Sequence, residues 1–264
     1  MKTLALNCIR KAYIMTALEK ILKRVERKLE RWDHAGSRKW AEENASLSTE
    51  EFCRSIDSAL YDLVQADMRE LKKLAELKLS QLPVSLGGGG NYVLLNFLLR
   101  KFDLRIVVET GVAAGWSSSA ILHAFRDNGR GTLFSSDFPY LRLEAPERYI
   151  GLLAIDAENS ADWHLDVRGD KAALPEITKA LGDTLIDLFH YDSDKSYSGR
   201  ERALKVLAAN LSESTIIIFD DIQDNFHFRD FCLRGKLDFQ VLEFDGKYVG
   251  ITGTRLHQAS NPLH

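Results

Sequence analysis

The stretch "VVETGVAAGWSS" (107–118) combines an apolar strand, a glycine-containing turn and the start of a helix. Gly111 allows a tight turn and a close approach of a ligand to the backbone, and Gly115 allows a strand and a helix to pack closely. The hydroxyls and free amides of Ser117 and Ser118 can hold a carboxylate at the helix start. The spacing is G-x-x-x-G rather than G-x-G-x-x-G, which counts against a dinucleotide pyrophosphate site.

Apolar runs alternate with helical segments through most of the remaining chain. The candidate strands cover 105–109, 132–137, 163–167, 185–191 and 215–220, and the candidate helices lie near 117–126, 171–181 and 198–210. Short apolar strands separated by helices indicate a parallel sheet with right-handed crossovers. Residues 239–252 predict two further strands joined at Asp245-Gly246, a strong hairpin signal. The sequence therefore predicts an α/β fold: a Rossmann-like, mostly parallel seven-stranded sheet that ends in an antiparallel hairpin strand.

Residues 1–85 are predicted to form a separate helical N-terminal segment, followed by a ligand-binding domain over residues 86–258. Pro83 and the glycine run 87–90 break the helical pattern between the two. Two capping boxes are expected to open helices, one at Ser48 and Glu51 and another at Ser198 and Glu201. The helix after Ser48 is expected to turn a set of apolar side chains inward: Phe52, Ile56, Leu60 and Leu63.

The first predicted helix has an apolar stripe and a basic face. The stripe comprises Ile14, Leu18, Ile21, Val25, Leu29 and Trp32, and the basic face comprises Lys20, Lys23, Arg24, Arg27, Lys28 and Arg31. Residues 1–39 contain eleven Lys or Arg against four acids, whereas the whole chain has a formal net charge of −3. We expect the stripe to be buried against its own domain or in a homo-oligomer contact, with an anionic membrane surface as the alternative.

The overall composition indicates an ordinary globular enzyme or binding protein. The chain has 264 residues, of which 45% are hydrophobic and 28% charged, and its net charge gives no sign of a nucleic-acid partner. The three cysteines (Cys8, Cys53 and Cys232) follow no metal-binding or disulfide spacing, which favours a reduced, cytoplasmic setting. No run is long and apolar enough to span a bilayer, and Arg10 and Lys11 interrupt the apolar start, which argues against a signal peptide.

Polar residues follow successive strands at the edge where open α/β sheets bind ligands. Glu109 ends the first strand, Asp137 ends the second, and Gly169 and Asp170 follow the third. An acid in the position of Asp137 can accept both hydroxyls of a ribose, and Gly169-Asp170 can flank an adenine. Each of these residues also fits a simple turn, but their occurrence at successive strand ends favours a nucleoside site.

The stretch "YDSDKSY" (191–197) places Asp192 and Lys195 just after the fourth strand, and the fifth ends at Asp220 and Asp221. These strands are neighbours in the expected topology, so three carboxylates would meet and raise one another's pKa values. A cationic side chain or a divalent metal would relieve that repulsion. Hard oxygen ligands of this kind suit Mg²⁺ or Mn²⁺.

The segments "ETGVAAGWSS", "SSDFP", "GD", "IDLFHYDSDKSY" and "IIIFDDI", followed by the hairpin, resemble class I S-adenosylmethionine-dependent methyltransferases. The resemblance covers about residues 87–253 and is greatest to metal-dependent small-molecule O-methyltransferases of the macrolide-sugar and catechol types. The family's "KPGG" turn is replaced here by residues 211–214. The resemblance implies that the hydroxyl of a sugar, a glycosylated natural product or a vicinal diol is methylated.

The resemblance also implies roles for residues at the strand ends. The cofactor S-adenosylmethionine would be bound by Glu109, Gly111, Gly115, Ser117, Asp137, Gly169 and Asp170. Mg²⁺ would be held by Asp192, Asp220 and Asp221, where it would lower the pKa of the acceptor hydroxyl. Lys195 would be the general base, with a salt bridge to Asp194 or Asp221 as the alternative. Asp194 itself is expected to be a solvated turn acid, and His227 is a candidate to lie over the substrate.

Two other functions stay open at this point. One is an NAD(P)-dependent oxidoreductase, which the absent G-x-G-x-x-G and the terminal hairpin disfavour. The other is a non-catalytic protein with a degenerate cofactor site, which the intact set of acids disfavours. The expected partners are a small hydroxylated molecule and a second copy of the chain through the N-terminal helices, with no nucleic acid and with the membrane disfavoured.

Overall fold

The computed structural model describes residues 2–9, 13–30, 33–82, 84–86, 88–154 and 162–258. The helices within these ranges are α1 (Lys2–Ile9), α2 (Ile14–Leu29), α3 (His34–Asn44), α4 (Thr49–Ser80), α5 (Tyr92–Phe102), α6 (Trp116–Asn128), α7 (Asp170–Leu181), α8 (Tyr197–Leu207), α9 (His227–Gly235) and α10 (Arg255–Gln258). The strands are β1 (Ala45–Ser48), β2 (Ile106–Thr110), β3 (Thr132–Ser136), β4 (Asp162–Asp166), β5 (Leu188–Tyr191), β6 (Ile216–Phe219), β7 (Phe239–Phe244) and β8 (Lys247–Thr252).

The eight strands form one sheet in the order β1-β7-β8-β6-β5-β2-β3-β4. Strands β4, β3, β2, β5 and β6 run parallel to one another, and β8 joins antiparallel to both β6 and β7. The order reverses between β2 and β5, so their carboxyl ends form the crevice in which open α/β sheets bind ligands. The predicted Rossmann-like sheet with its antiparallel hairpin is confirmed.

One strand of the sheet lies in the segment predicted to be helical. Residues 45–48 form β1, which pairs in parallel with β7 at the edge of the sheet. The sheet therefore has eight strands rather than the seven predicted. The four-residue segment "ASLS" lacks the β-branched and aromatic side chains that signal a strand, so its pairing depends on the exposed edge of β7.

Helices cover both faces of the sheet and enclose two apolar cores. On one face α4, α5 and α6 pack against β2, and on the other α7, α8 and α9 pack against β5 and β6. Helix α5 was not predicted because its sequence "YVLLNFLLRKF" has no apolar stripe, and seven of its eleven residues are buried. A helix that is apolar on nearly all sides is a core helix.

The capping box at Ser48 is confirmed. The prediction that Leu63 of α4 faces inward is wrong, because its side chain is 58% exposed. In the later part of α4 the buried residues are Tyr61, Val64, Met68, Leu71 and Ala75. The backbone is non-helical at Asp57, where φ is −161° and ψ is 95°. This break shifts the phase of the helix, so the face defined by Phe52 does not continue.

The capping box predicted at Ser198 is also wrong. The N-cap of α8 is Ser196, whose hydroxyl accepts a hydrogen bond from the backbone N–H of Gly199 at 3.0 Å. Glu201 turns away from the helix start because its carboxylate pairs with Arg234 at 2.9 Å.

Helix α2 lies with its polar face inward, opposite to the prediction that its apolar stripe is buried. Thr16 and Ala17 are buried, whereas Ile14, Leu18 and Ile21 are 45–55% exposed and Val25 is 48% exposed. Trp32, Arg31 and the side chains of Arg24, Arg27, Lys28 and Leu29 lie outside the described residues. No helix in the described ranges is long and apolar enough to cross a membrane.

Candidate active site

Glu109 is fully buried at the end of β2, where it organises the surrounding strand ends. Its Oε2 accepts hydrogen bonds from Ser118 Oγ at 2.5 Å and Ser135 Oγ at 3.0 Å. Its Oε1 faces His190 Nδ1 at 3.8 Å. The predicted cofactor residue Glu109 thus connects β2, β3, β5 and α6 beneath the crevice.

The glycines of the first loop are required by close backbone contacts. Gly111 has φ of 85° and lies directly against the backbone of Asp192, so a side chain there would collide with the loop after β5. Gly115 has φ of 96°, and a Cβ atom there would lie 2.8 Å from the Cα of Gly151. Ser117 is buried in the first turn of α6. The loops after β2 and β5 therefore approach each other at the crevice.

Asp137 follows β3 and points across the crevice to the first loop. Its Oδ2 accepts a hydrogen bond from the backbone N–H of Ala113 at 2.6 Å, and its Oδ1 accepts one from Phe138 N at 2.5 Å. Burial raises the pKa of Asp137 to about 6, although both hydrogen bonds act in the opposite direction. The two hydrogen bonds therefore fix the carboxylate in place, but they offset only part of the free-energy cost of removing its charge from water.

Asp170 connects the loops after β3 and β5 at the start of α7. Its two carboxylate oxygens accept hydrogen bonds from Ser136 Oγ at 2.7 Å and Ser193 Oγ at 2.5 Å. Gly169 has φ of 88° and packs against the ring of Phe138. A side chain at this position would collide with that ring. Both residues hold the walls of the crevice next to Asp137.

Two cavities meet at this edge of the sheet. The first, of about 440 Å³, is lined by Lys20, Lys23, Gly111, Ala113, Asp137, Phe138, Tyr140, Asp192, Ser193, Asp194 and Lys195. The second, of about 500 Å³, is lined by Gly88, Gly89, Gly90, Asn91, Asp192, Lys195, Asp220, Asp221, Phe244, Asp245, Lys247 and Val249. Asp192 and Lys195 line both cavities and thus lie at the border between them. We name them the first cavity and the second cavity.

The acids after β5 and β6 come together as predicted. Burial and the neighbouring Asp220 raise the pKa of Asp192 to about 6, while Lys195 opposes the shift. Asp220 Oδ1 is buried and has no hydrogen-bond partner among the described residues, whereas the buried Asp192 Oδ1 faces the ammonium group of Lys195. Asp220 also contacts Gly90, where its carboxylate occupies the space of a side chain.

Lysine side chains neutralise the third acid, Asp221. Lys195 Nζ lies against Asp221 Oδ2 and 3.2 Å from Asp192 Oδ1, and Lys247 Nζ lies 3.3 Å from Asp221 Oδ1. The salt bridge considered as the alternative role of Lys195 is therefore present. Both oxygens of Asp221 are engaged, and the described residues contain no group of three His, Cys, Asp or Glu arranged to hold a metal.

His190 is buried between two carboxylates and supplies a positive charge under the site. Burial alone would lower its pKa, but Asp220 and Glu109 raise the pKa of His190 to about 10. The side chain is 1% exposed. The sequence placed His190 at the end of a strand without indicating this role. Its position between Glu109 and Asp220 depends on three strands meeting.

Arg200, which the sequence did not indicate as a site residue, fixes the loop that displays Asp220 and Asp221. It is fully buried, and its Nη2 donates to the carbonyl oxygens of Asp220 at 2.8 Å and Asp221 at 2.9 Å. Asp221 has φ of 51°, a left-handed conformation that these bonds stabilise. Nothing in the helical segment that contains Arg200 signals a buried cation.

Four other side chains lie differently from their predicted places. His227 is buried among aromatic rings, 4.9 Å from Tyr197 between ring centroids, and does not line the second cavity. Asp194 is only 8% exposed and pairs with Lys23 at 3.8 Å, so it is not a solvated turn acid. Lys20 and Lys23 of α2 line the first cavity, although the sequence assigned the basic face to solvent.

Residues 108–222 match the family model described as a methyltransferase domain. The match begins within β2 and ends just after Asp220 and Asp221, so it includes the strand ends that form the first cavity. No curated protein sequence matches the chain.

The chain is also similar to solved methyltransferase structures at low sequence identity. An O-methyltransferase from Bacillus cereus in complex with S-adenosylhomocysteine is 14% identical, with 72% of this chain and 91% of that chain covered and a TM-score of 0.49. The O-methyltransferase TomG from Streptomyces achromogenes, in complex with S-adenosylmethionine, is 16% identical, with 70% and 89% covered and a TM-score of 0.49.

Proposed function

We propose that the protein is an S-adenosylmethionine-dependent O-methyltransferase that acts on a hydroxyl group of a small molecule. The observation that carries the proposal is the border of the first and second cavities at Asp192 and Lys195. Methyl transfer needs a donor and an acceptor in line, so two neighbouring cavities that share lining residues suit this reaction. The acceptor class is a sugar, a glycosylated natural product or a vicinal diol.

The first cavity is the proposed cofactor site. Asp137 offers a fixed carboxylate to the two ribose hydroxyls, and the backbone of Gly111 allows the methionine part to approach closely. Phe138 provides an aromatic wall on the proposed adenine side, and Gly169 and Asp170 lie behind that wall, against Phe138 and Ser193. Lys20 and Lys23 cover this cavity from α2.

The second cavity is the proposed acceptor site. Asp220, Asp245 and Lys247 give it a polar lining, while Phe244 and Val249 add an apolar side. This mixture suits a hydroxylated molecule with an apolar ring or chain. Lys195 faces the acceptor from the border of the two cavities, where its amine would take the hydroxyl proton after releasing its own.

The magnesium site implied by the sequence does not fit the side chains as they lie. Asp220 keeps an unpaired buried oxygen, which is the hard donor that Mg²⁺ prefers, and Asp192 Oδ1 lies 3.2 Å from Lys195 Nζ. Asp221, however, is engaged by Lys195 and Lys247. Magnesium assistance therefore stays a prediction from the sequence, and no step of the proposed reaction is assigned to it.

A methyl-transfer assay tests the proposed function. The protein is incubated with S-adenosylmethionine labelled in its methyl group and a panel of deoxysugars, polyketide glycosides and catechols. We expect a labelled methyl ether on at least one acceptor, and less of this product with the variant Asp137→Ala at the same, subsaturating cofactor concentration. Turnover of NADH in place of methyl transfer would replace the proposal with the oxidoreductase alternative.

A further inference from the structure

Helix α2 contacts both walls of the first cavity through two lysines. Lys20 Nζ donates to the carbonyl oxygen of Pro139, in the loop after β3, at 2.9 Å. Lys23 Nζ lies 3.8 Å from Asp170 Oδ2 and 3.8 Å from Asp194 Oδ2, which belong to the start of α7 and the loop after β5. Both lysines line the first cavity. Helix α2 therefore spans that cavity from the loop after β3 to the loop after β5.

The two ammonium groups also cover the ring of Phe138, the aromatic wall on the proposed adenine side. Lys20 Nζ lies 5.1 Å and Lys23 Nζ 4.6 Å from the ring centroid, within the range of a cation–π contact. All three side chains line the first cavity. Stacked aromatic rings place their centroids about 4.5–7 Å apart. An adenine that stacks on this face of Phe138 would therefore need the space that the ammonium groups occupy.

Polar contacts, rather than a shared apolar core, attach α2 to the domain. None of the described side chains of α2 belongs to either apolar core, and the buried ones among them are small, Thr16 and Ala17. Near the end of α2, Glu26 Oε2 lies 3.4 Å from Arg202 Nη2, and these side chains are 46% and 40% exposed. An exposed ion pair contributes little to stability, and a segment with few buried apolar contacts opens at a low free-energy cost. Helix α2 can therefore move off the cavity while the two cores stay packed.

We propose that α2 is a gate over the cofactor site and that Lys20 and Lys23 hold this gate closed. The inference rests on the proposed function, because it takes the first cavity as the site of S-adenosylmethionine. For the adenine to reach Phe138, the ammonium groups leave the ring and the contacts of α2 with both cavity walls break. Once the cofactor is bound, α2 returns and its lysines contact the cavity walls again. The two lysines thus slow both the entry and the release of the cofactor.

Rapid-mixing kinetics with S-adenosylhomocysteine and the full chain test this proposal. The double variant Lys20→Met/Lys23→Met keeps long side chains but loses both charges. We expect its association and dissociation rate constants to be at least about tenfold higher than those of the wild type, because the barrier to opening is lower. The dissociation constant should change much less than either rate constant, because the gate is closed in the free and the bound states alike. Added salt should accelerate both steps in the wild type and less so in the variant.

The variant Lys39→Met/Lys205→Met is the matched control. These lysines are 75% and 74% exposed and form ion pairs along their own helices, with Glu43 at 3.7 Å and Glu201 at 3.8 Å. Removing their charges should leave both rate constants unchanged. Amide hydrogen exchange gives a second readout without any cofactor. Residues 14–29 should exchange faster in Lys20→Met/Lys23→Met, while the core helix α5 exchanges as in the wild type.

The outcomes separate the gate from the proposed function. If the wild type does not bind S-adenosylhomocysteine, the proposed function fails and the gate with it. If the wild type binds, but Lys20→Met/Lys23→Met shows wild-type rate constants and wild-type exchange over residues 14–29, the gate is wrong while the proposed function stands. A variant in which only dissociation accelerates, with a matching loss of affinity, would show that the lysines are binding contacts, which also overturns the gate.

Discussion

His190 Nε2 lies 3.6 Å from Asp220 Oδ2 where the neighbouring strands β5 and β6 end. On the other side of the ring, Nδ1 faces Glu109 at 3.8 Å, and all three side chains are almost fully buried. A buried cation between two buried acids offsets charges that would otherwise face each other. His190 therefore helps to hold Asp220, which lines the second cavity, in its position.

Removing the histidine should therefore destabilise the fold. We expect His190→Leu to lower the free energy of unfolding by about 3–5 kcal/mol, because two buried carboxylates lose their cation. Chemical denaturation at neutral pH measures the change. His164→Leu is the control, since that histidine is 54% exposed and pairs with an exposed Asp162. If His190→Leu lowers the free energy of unfolding no more than the control does, then His190 does not stabilise the two buried carboxylates.

Lys195 is the residue for which a catalytic and a structural role make different predictions. We expect Lys195→Met to lower kcat by about 10²–10⁴-fold, the usual contribution of a general base, with binding of S-adenosylhomocysteine preserved. Steady-state kinetics with the accepted substrate measures this.

The variant Lys195→Arg distinguishes a general base from a residue that acts only through its salt bridge. Arginine keeps the positive charge opposite Asp192 and Asp221 but cannot lose its proton, so we expect a rate as low as that of Lys195→Met. If Lys195→Arg instead retains most of the activity, the lysine acts through its salt bridge, and the assignment as base is wrong.

Asp137 should give stability a characteristic pH dependence. Its pKa is about 6 in the folded protein, above the ordinary value near 3.9 in an unfolded chain. The folded state therefore keeps a proton that the unfolded state has lost, and the free energy of unfolding falls as pH rises from about 4 to 6. Relative to the wild type, Asp137→Asn should gain about 1–2 kcal/mol between pH 4 and pH 7. Denaturation curves for both proteins at several pH values measure this, and parallel pH profiles would contradict it.

Lys195 also competes with any divalent cation for Asp221. We expect Lys195→Met to bind Mn²⁺ at least about tenfold more tightly than the wild type, because the variant frees a carboxylate beside Asp192 and Asp220. Calorimetric titration of Mn²⁺ into both proteins measures the difference. Equally tight binding to the two proteins would show that the metal displaces Lys195 without cost. That result would support the three-acid site implied by the sequence.

The sheet was predictable because its signals are local. The turn at Asp245-Gly246, the apolar runs and the glycines at Gly111 and Gly115 each act within a few residues, and the hairpin and parallel strands follow from them. The gathering of Asp192, Asp220 and Asp221 was predictable for the same reason, since neighbouring strand ends meet at one edge.

The parts that sequence did not predict depend on contacts between distant segments. Arg200 became a site residue only because the loop after β6 folds over it, and β1 became a strand only because β7 offers an edge. The orientation of α2 was predicted wrongly because periodicity identifies an apolar side but not what covers it. Carboxylates at the rim of the first cavity attract Lys23, and this contact determines which side faces inward.

Calorimetric titration of S-adenosylhomocysteine tests the central claim most directly. We predict that the wild type binds S-adenosylhomocysteine and does not bind NADH. We also predict that Asp137→Ala weakens binding by about 1–3 kcal/mol, because the ribose hydroxyls lose their buried acceptor. Binding of NADH without S-adenosylhomocysteine, or an affinity that Asp137→Ala leaves unchanged, would contradict the assignment of the first cavity as the cofactor site.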